Sequence, residues 1–167
     1  MEPVRNDTTA DRRTAVELAK RLLVDSIWRT AKIEVDGVTF PDTQEIFDGR
    51  APEGMSVDDI VTVNNIKRAW RFLLDNIDYP VDWQYIREYN RIIGEGLVRD
   101  AGRLREYGVR IGGTGWVPEI PTVESSQERV RGILEESEGE DTAMLLFGAV
   151  TRGQWFSDGN KRTALIV

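Results

Sequence analysis

Apolar residues recur at helical spacing through most of this 167-residue chain, and this periodicity limits the fold more than any other feature. Such stripes are typical of amphipathic helices that bury one face. Residues 8 to about 32 carry the longest one, formed by Ala15, Leu18, Ala19, Leu22, Leu23, Ile27 and Ala31. We therefore predict a long first helix, with Asp7, Thr8 or Thr9 as its N-cap.

Capping residues and apolar spacing predict further helices along the chain. The expected helices cover residues 43–47, 57–76, 83–97, 122–137 and 141–153, the first three capped by Asp42, Ser56 and Asp82. Residues 142–150, TAMLLFGAV, are apolar nearly all round, which favours a central buried helix.

The segment YGVRIGGTGWVPEIP, residues 107–121, interrupts the helical pattern. Its glycines, prolines and short runs of β-forming residues predict a hairpin. At 167 residues the chain suits one domain. The fold expected from the residues is a mainly α single domain with one hairpin.

The composition excludes several classes of protein. The chain has no cysteine and no histidine, so disulfides, thiolate chemistry and the commonest general base are absent. No apolar run approaches the ~20 residues of a membrane span, and the first 13 residues lack the apolar core of a secretory signal. A cytoplasmic location is the expectation. A net charge of -7 opposes broad binding to nucleic acid.

The segment GQWFSDGNKRTAL, residues 153–165, combines turn formers with two cations. Residues 158–160 enter positive-φ conformations at little cost, which would turn successive backbone N–H groups into one concavity. A helix that begins at Asn160 or Lys161 would favour an anion there, and Asp158 is suited to hold magnesium beside phosphates. The alternative is an ordinary turn that leads into a strand and binds nothing.

The segment resembles the signature of the Fic/Doc (Fido) family, His-x-Phe-x-Asp/Glu-Gly-Asn-Gly/Lys-Arg. Six positions match in register: Phe156, Asp158, Gly159, Asn160, Lys161 and Arg162. Upstream, a stretch looks like the family's flap hairpin, which aligns the target peptide; it contains Val109, Arg110, Ile111, Gly112, Gly113 and Trp116. The resemblance covers most of the chain and implies a Fido-type all-α helical bundle with one β-hairpin flap.

Members of this family move AMP, or in some cases another phosphate-containing group, from a nucleotide to a hydroxyl of a target protein. By resemblance, Asp158 would bind magnesium and Arg162 would stabilise the transferring charge. Asn160, with the amides of Gly159 and Lys161, would hold the phosphates of ATP or another nucleotide. The implied partners are that nucleotide and a protein that bears the modified hydroxyl.

Position 154 departs from the signature, because Gln154 stands where active members have the catalytic histidine. A carboxamide does not accept a proton from an attacking hydroxyl at neutral pH, so general-base catalysis should be lost. Gln154 can still orient a hydroxyl or a water through hydrogen bonds. A natural inactive relative and a deliberate substitution are both compatible with this residue.

Two further departures concern the donor. Lys161, followed by Thr-Ala-Leu, resembles the Doc-type toxins, which phosphorylate their targets, so both AMP and phosphoryl transfer stay open. The second arginine of many Fic signatures would fall at Leu165, so that γ-phosphate clamp is missing.

Self-inhibiting members carry a Ser/Thr-x-x-x-Glu-Gly/Asn motif whose glutamate enters the nucleotide pocket. Thr30 and Glu34 match this pattern, although Val35 replaces its last residue. Without the second arginine, Glu34 would have to pair with Arg162 or Lys161. The alternative is a solvated carboxylate at a helix end.

The chain ends soon after the signature, where the family core continues into more helices. We expect one Fic/Doc-like domain over residues 1–167 that lacks those helices and exposes apolar surface, which self-association or an antitoxin-like partner would cover. Three functions remain open: an impaired transferase, a non-catalytic Fido-fold binding module and a plain helical domain. The transferase would suit a toxin–antitoxin pair. It would act in the cytoplasm or, as a delivered effector, in another cell.

Overall fold

The computed structural model describes the chain from residue 8 to residue 167, with side chains from residue 12. Within this range the chain forms eight α-helices and no sheet. They are α1 (Thr8–Arg21), α2 (Leu23–Ala31), α3 (Phe40–Phe47), α4 (Val57–Asp75), α5 (Trp83–Gly94), α6 (Val123–Glu136), α7 (Gly139–Gly153) and α8 (Asn160–Ala164). The mainly helical bundle predicted from the sequence is therefore confirmed.

Local signals explain where several helices begin. The side chains of Ser56, Asp82 and Thr122 each accept a hydrogen bond from the amide three residues later, which satisfies one orphan N–H of α4, α5 and α6 respectively. α3 begins earlier than predicted, at Phe40. Thr39 is its N-cap, and Asp42 closes a capping box with Thr39 rather than capping the helix itself.

The predicted first helix is interrupted for one residue, at Leu22, which gives α1 and α2. The amide of Leu22 still bonds to Leu18 and its carbonyl still accepts from Ser26, so the helical hydrogen bonds continue across the break. The proposed cap Asp7 lies outside the described residues, and the side chains of Thr8 and Thr9 are not described.

Three buried clusters hold the bundle together. One joins α2, α3 and α4 around Ile27, Ile46 and Ile66. The second joins α4 and α5 to the chain end through Ala69, Tyr89 and Ile166. The third joins α5, α6 and α7 to the segment between α7 and α8, and it contains Trp83, Ile86, Val130, Ile133, Leu146, Val150, Trp155, Phe156 and Ala164.

α7 is less buried than its composition predicted. Leu146 and Val150 are buried, whereas Met144 is 68% and Leu145 45% exposed. The expectation of a central helix covered on all sides is wrong for the described chain, because one face of α7 packs in the core with α5, α6 and the segment leading to α8, while the face that carries Met144 and Leu145 is exposed. The expected exposed apolar surface is present at Met144 and Leu145, whereas Ile166 near the chain end is buried.

The hairpin predicted over residues 107–121 does not form paired strands. One turn remains, in which the amide of Ile111 donates to the carbonyl of Trp116 at 3.3 Å. The carbonyls of Tyr107, Pro118 and Glu119 accept hydrogen bonds from the Arg105 side chain instead of from a facing strand. An isolated, glycine-rich two-stranded ribbon is marginal in any case. We call residues 107–121 the flap loop.

No helix within residues 8–167 combines the length and the apolar character needed to cross a bilayer.

Buried Tyr89 provides a test of the packing between α4 and α5. Burial raises its pKa from 10.0 to about 12, with Tyr85 adding to the shift. Since the folded chain keeps the phenol proton while the unfolded chain loses it, stability should fall as pH rises from about 10 to about 12. Urea unfolding across this range should show a shallower pH dependence for Tyr89→Phe than for the parent.

Tyr79→Phe, which changes a tyrosine that is 65% exposed, is the matched control. Equal pH dependence in Tyr89→Phe and Tyr79→Phe would contradict the prediction.

Candidate functional site

Residues 154–159 connect the end of α7 to the start of α8 and contain most of the signature; we call them the signature loop. Asn160 closes this loop from its buried position. Its side-chain oxygen accepts from the amide of Phe156 at 3.0 Å, and its Nδ2 donates to the carbonyl of Phe156 at 2.8 Å. Both functional groups of Asn160 therefore bind protein backbone, and the side chain shapes the loop.

Asn90 of α5 fixes the outer part of the signature loop. Its Nδ2 donates to the carbonyl of Asp158 at 2.9 Å and to Thr163 Oγ1 at 3.1 Å. Its Oδ1 accepts from the amide of Gly102 at 2.8 Å. Gly159 lies against the side-chain amide of Asn90 and has a left-handed conformation, with a φ of 75°. Sequence analysis missed Asn90, because an asparagine inside a helix carries no local signal of a distant partner.

Aromatic packing fixes the inner part of the loop. The rings of Phe156 and Trp83 are stacked, with centroids 6.0 Å apart, while Trp155 meets Trp83 edge to face at 5.3 Å. A Cβ atom at Gly153 would lie 2.5 Å from Trp155 Nε1. Glycine at this position thus allows Trp155 to approach, and the left-handed C-cap of α7 is the next residue, Gln154.

The side chain of Gln154 contacts other groups of the protein at both ends. Its φ is 44°, and it is the one non-glycine residue with positive φ in the described chain. Its Nε2 donates to the carbonyl of Thr151 at 2.7 Å, and its Oε1 lies 3.4 Å from Asn160 Nδ2. Both ends of the Gln154 carboxamide are therefore engaged within the protein.

Two sets of backbone N–H groups matter at the site, one in the signature loop and one at the start of α8. Those of Phe156 and Gly159 are engaged by Asn160 Oδ1 and by Asp158 Oδ1, the latter at 2.6 Å. The three that open α8, at residues 160–162, have no intrahelical partner, and α8 has no side-chain cap. The amide of Gly159, expected to hold phosphate, is thus taken by Asp158 in this structure, while that of Lys161 is not.

Arg162 is the buried cation of the site, 4% exposed. Its Nη2 contacts Asp158 Oδ1 at 3.3 Å. Its Nε lies 3.6 Å from Glu34 Oε1, beyond hydrogen-bond distance, and has no hydrogen-bond partner among the described residues. Buried polar groups are normally satisfied, so an unsatisfied guanidinium nitrogen beside two carboxylates indicates a place for an acceptor.

Glu34 lies beside Arg162 in the folded chain, one of the two cations with which the resemblance to the inhibitory motif would pair it. It lies in the turn after α2, with its side chain 39% exposed. Thr30 is buried and donates its hydroxyl to the carbonyl of Ser26 at 2.8 Å. Position 165 is an apolar leucine, so Arg162 is the cation that Glu34 contacts.

Asp158 is the carboxylate available for a cation. Its side chain is 54% exposed, and its Oδ2 takes part in no hydrogen bond within the described range. No group of three or more histidine, cysteine or acidic residues that could hold a metal occurs in that range. One carboxylate oxygen suits magnesium, which is usually bound through one or two carboxylates together with substrate phosphates and water.

The flap loop is attached to the end of α7 at two points. Trp116 Nε1 donates to the carbonyl of Arg152 at 3.0 Å, and the Arg152 guanidinium lies 5.0 Å from the centre of the Trp116 ring. Arg105 makes the second attachment. Val109 and Ile111 are half-buried, whereas Arg110, Gly112 and Gly113 are exposed.

Arg105 was also missed from the sequence. It is 1% exposed, and its guanidinium donates to five carbonyl oxygens, those of Tyr107, Pro118, Glu119, Gly153 and Gln154. Burial lowers the pKa of this guanidinium, and nearby Tyr107 partly opposes the shift. The charged stretch GRLRE, residues 102–106, predicts an exposed arginine at position 105. Only the folded structure shows that this side chain is buried.

No protein-family model matches this chain, and no curated protein matches it either. Several solved structures match this chain. Fic-1 from C. elegans superposes with a TM-score of 0.76 at 19% identity, over 95% of this chain and 54% of that one. A Fic-domain signalling protein from Bacteroides thetaiotaomicron gives 0.70 at 17%, over 93% and 64% respectively.

A Fic family protein from Desulfovibrio desulfuricans gives a TM-score of 0.67 at 16% identity, over 99% of this chain and 56% of that one. The chain thus spans between 54 and 64% of the length of these solved chains. At such identities the similarity establishes the fold, a helical bundle of the Fic type, and not the activity.

Gly159 tests whether the signature loop depends on its packing against α5. A Cβ atom there would lie 3.2 Å from Asn90 Nδ2 and 3.3 Å from Ile93 Cγ2, at a positive φ. Gly159→Ala should therefore lower the free energy of unfolding by about 1–3 kcal/mol.

Gly148→Ala is the matched control, because it lies inside α7 with nothing within 4 Å of the added carbon. It should be neutral or stabilising by up to about 1 kcal/mol. Urea denaturation checks both variants, and a Gly159→Ala protein as stable as the parent would contradict the packing described here.

Proposed function

We propose, from the Fic fold and the chemistry of the signature loop, that this chain is a nucleotide-binding transferase domain of the Fic/Doc type, impaired in catalysis by Gln154. Its substrates would be a nucleoside triphosphate and a hydroxyl group of a target protein. The observation that carries the proposal is the buried Arg162, whose Nε lacks a hydrogen-bond acceptor within residues 8–167.

Phosphate oxygens fit the surroundings of Arg162. A guanidinium is suited to phosphate recognition, and the free amides at the start of α8 lie on the same helical turn. Lys161, exposed beside them, adds a second positive charge. The role expected for the Asn160 side chain needs revision: it would act by shaping the signature loop, since its amide binds Phe156.

Magnesium fits Asp158, whose free Oδ2 would hold the ion together with phosphate oxygens; when bound, the ion would neutralise phosphate charge. The remaining work would fall to the chain's own groups. Arg162 would stabilise charge on the transferred group, and residue 154 would face the attacking hydroxyl.

Transfer requires a proton acceptor at position 154. The target hydroxyl oxygen forms a bond to phosphorus while the bond to the leaving phosphate breaks, and the hydroxyl proton must leave. The carboxamide of Gln154 cannot take that proton, and its bond to Thr151 holds it in place. Loss of general-base catalysis typically costs about 10²–10⁴-fold in rate. Whether AMP or a phosphoryl group is transferred would depend on how Lys161 positions the phosphates of the nucleotide.

Gln154→His tests this account directly. The variant should transfer label from ATP carrying either an α- or a γ-phosphorus label to protein at least about 10²-fold faster than the parent. The labelled position that reaches protein identifies the transferred group. A variant that binds nucleotide but labels neither itself nor any protein of a lysate would contradict the proposed activity.

Asp158→Asn tests the magnesium site. It keeps the Oδ1 acceptor for Gly159 and Arg162 but removes the negative charge. Calorimetric titration with ATP should show affinity about tenfold weaker than the parent in magnesium, and no loss in EDTA. Asp75→Asn, on an exposed acidic residue at the end of α4, should bind as the parent does. An equal effect of both substitutions would exclude a specific role for Asp158.

Glu34 would regulate the same site by occupying Arg162. Removing its charge should strengthen nucleotide binding about two- to fivefold, the range expected for a partly exposed ion pair. The comparison is calorimetry of Glu34→Gln against Glu53→Gln, an equal charge change at an exposed position outside the site. Unchanged affinity in Glu34→Gln would leave Glu34 as a solvated helix-end carboxylate.

One observation favours a second function, a non-catalytic binding module. The Gln154 side chain is bonded at both ends within the protein, as a structural residue would be. Exposed Trp116, Val117 and Ile120 on the flap loop would then contact a partner protein. Absence of nucleotide binding in the titrations above, in the parent and in Gln154→His alike, would favour this module over the transferase.

A further inference from the structure

Arg105 combines two properties that rarely occur together. Its side chain is fully buried, and no carboxylate lies within ion-pair distance of it among the described residues. Charged side chains are almost never buried without a counter-charge, because the loss of hydration is costly. Here five carbonyl oxygens replace the water.

The five carbonyls come from three separate places. Gly153 and Gln154 provide two at the end of α7, Tyr107 provides one at the start of the flap loop, and Pro118 and Glu119 provide two near its end. The flap loop has two backbone bonds of its own, both within the turn at residues 111–116, and no strand ladder. Its two ends are therefore joined to each other, and to the signature loop, through one guanidinium.

The end of α7 is a favourable place for this charge. The last carbonyls of a helix lack intrahelical donors, and the helix dipole places partial negative charge there. Arg105 Nε donates to the carbonyl of Gln154, and the Arg105 amide donates to the carbonyl of Trp155 at 3.0 Å. The Gln154 carbonyl belongs to one of the two peptide units that set the φ and ψ of Gln154, and the Trp155 carbonyl belongs to the next peptide unit along the chain.

That conformation carries strain. A non-glycine residue at positive φ is strained and persists when its surroundings hold it. The direction of the side chain at residue 154 follows from this backbone conformation. Whatever fixes the backbone at 154 therefore also fixes where a side chain at 154 can reach.

We propose that Arg105 is a positioning residue that holds residue 154 in its left-handed conformation and fastens the flap loop to it. Residue 154 and the loop then move as one body, and loss of the guanidinium fork frees both. This inference rests on the contacts alone. Its consequence for transfer, that the target segment and residue 154 keep a fixed relation, rests on the proposed function.

Hydrogen exchange on the full chain tests the contacts. Arg105→Lys keeps the charge but loses the planar fork, so amides in residues 107–121 and 153–156 should exchange about tenfold faster or more. Protection in α2 and α4 should be unchanged. Arg103→Lys, on an exposed arginine two residues away, should leave every segment as in the parent. Unchanged exchange in Arg105→Lys, or an equal increase throughout the chain, would overturn the proposal.

Glycine at position 154 supplies a second measurement. Because glycine adopts positive φ without strain, Gln154→Gly should reduce the effect of Arg105→Lys on exchange in residues 153–156, but not in residues 107–121. If Arg105→Lys alone does not fold, recovery of folding in the double variant supports the proposal. Failure of both to fold overturns it, since Arg105 would then serve folding in general.

Transfer by Gln154→His provides a readout that separates the two proposals. Added to that variant, Arg105→Lys should lower kcat about tenfold and leave the ATP affinity unchanged, since Arg105 touches none of the proposed nucleotide groups. An inactive Gln154→His protein would refute the proposed transferase, and the exchange data would still decide the role of Arg105. Unaltered kcat in the double variant, with altered exchange, would overturn the positioning of residue 154.

Discussion

A single buried guanidinium links the parts of this structure that have least regular structure of their own. Desolvation makes the Arg105 charge expensive to bury, and carbonyl dipoles from the flap loop and from the end of α7 offset that cost. Neither segment has a strand partner to take those carbonyls. The flap loop, the C-terminus of α7 and residue 154 therefore depend on the same interaction.

The two sides of the signature loop have opposite electrostatic character. On one side, the negative end of α7 is covered by the Arg105 cation. On the other, the buried Arg162 faces two carboxylates, Asp158 and Glu34, at 3.3 and 3.6 Å, and its Nε is still unsatisfied within the described chain. On the first side, all three guanidinium nitrogens of Arg105 donate hydrogen bonds. The second has an incomplete hydrogen-bond set, which makes it the part of the molecule suited to an anionic ligand.

Much of the candidate site could be predicted from the sequence, because most of its residues lie close together in the chain. Asp158, Gly159 and Asn160 favour a turn through their own conformational preferences, and the four-residue spacing from Thr30 to Glu34 is likewise local. Their detailed contacts were less predictable. Asn160 was expected to face phosphate, yet Phe156 offers it both a donor and an acceptor in the folded loop. Asn90 gave no signal, since its partners lie 68 and 73 residues away.

The amino-acid sequence alone determined the helical bundle and most helix starts, because apolar spacing and caps such as Ser56 and Asp82 act within a few residues. Only the tertiary structure decided that the flap segment forms a loop, that Gln154 is left-handed, and that α7 exposes Met144. Each of these outcomes depends on groups distant in the chain. Hydrogen-bond partners and burial are set by what the fold brings alongside, and no local pattern of residues encodes that.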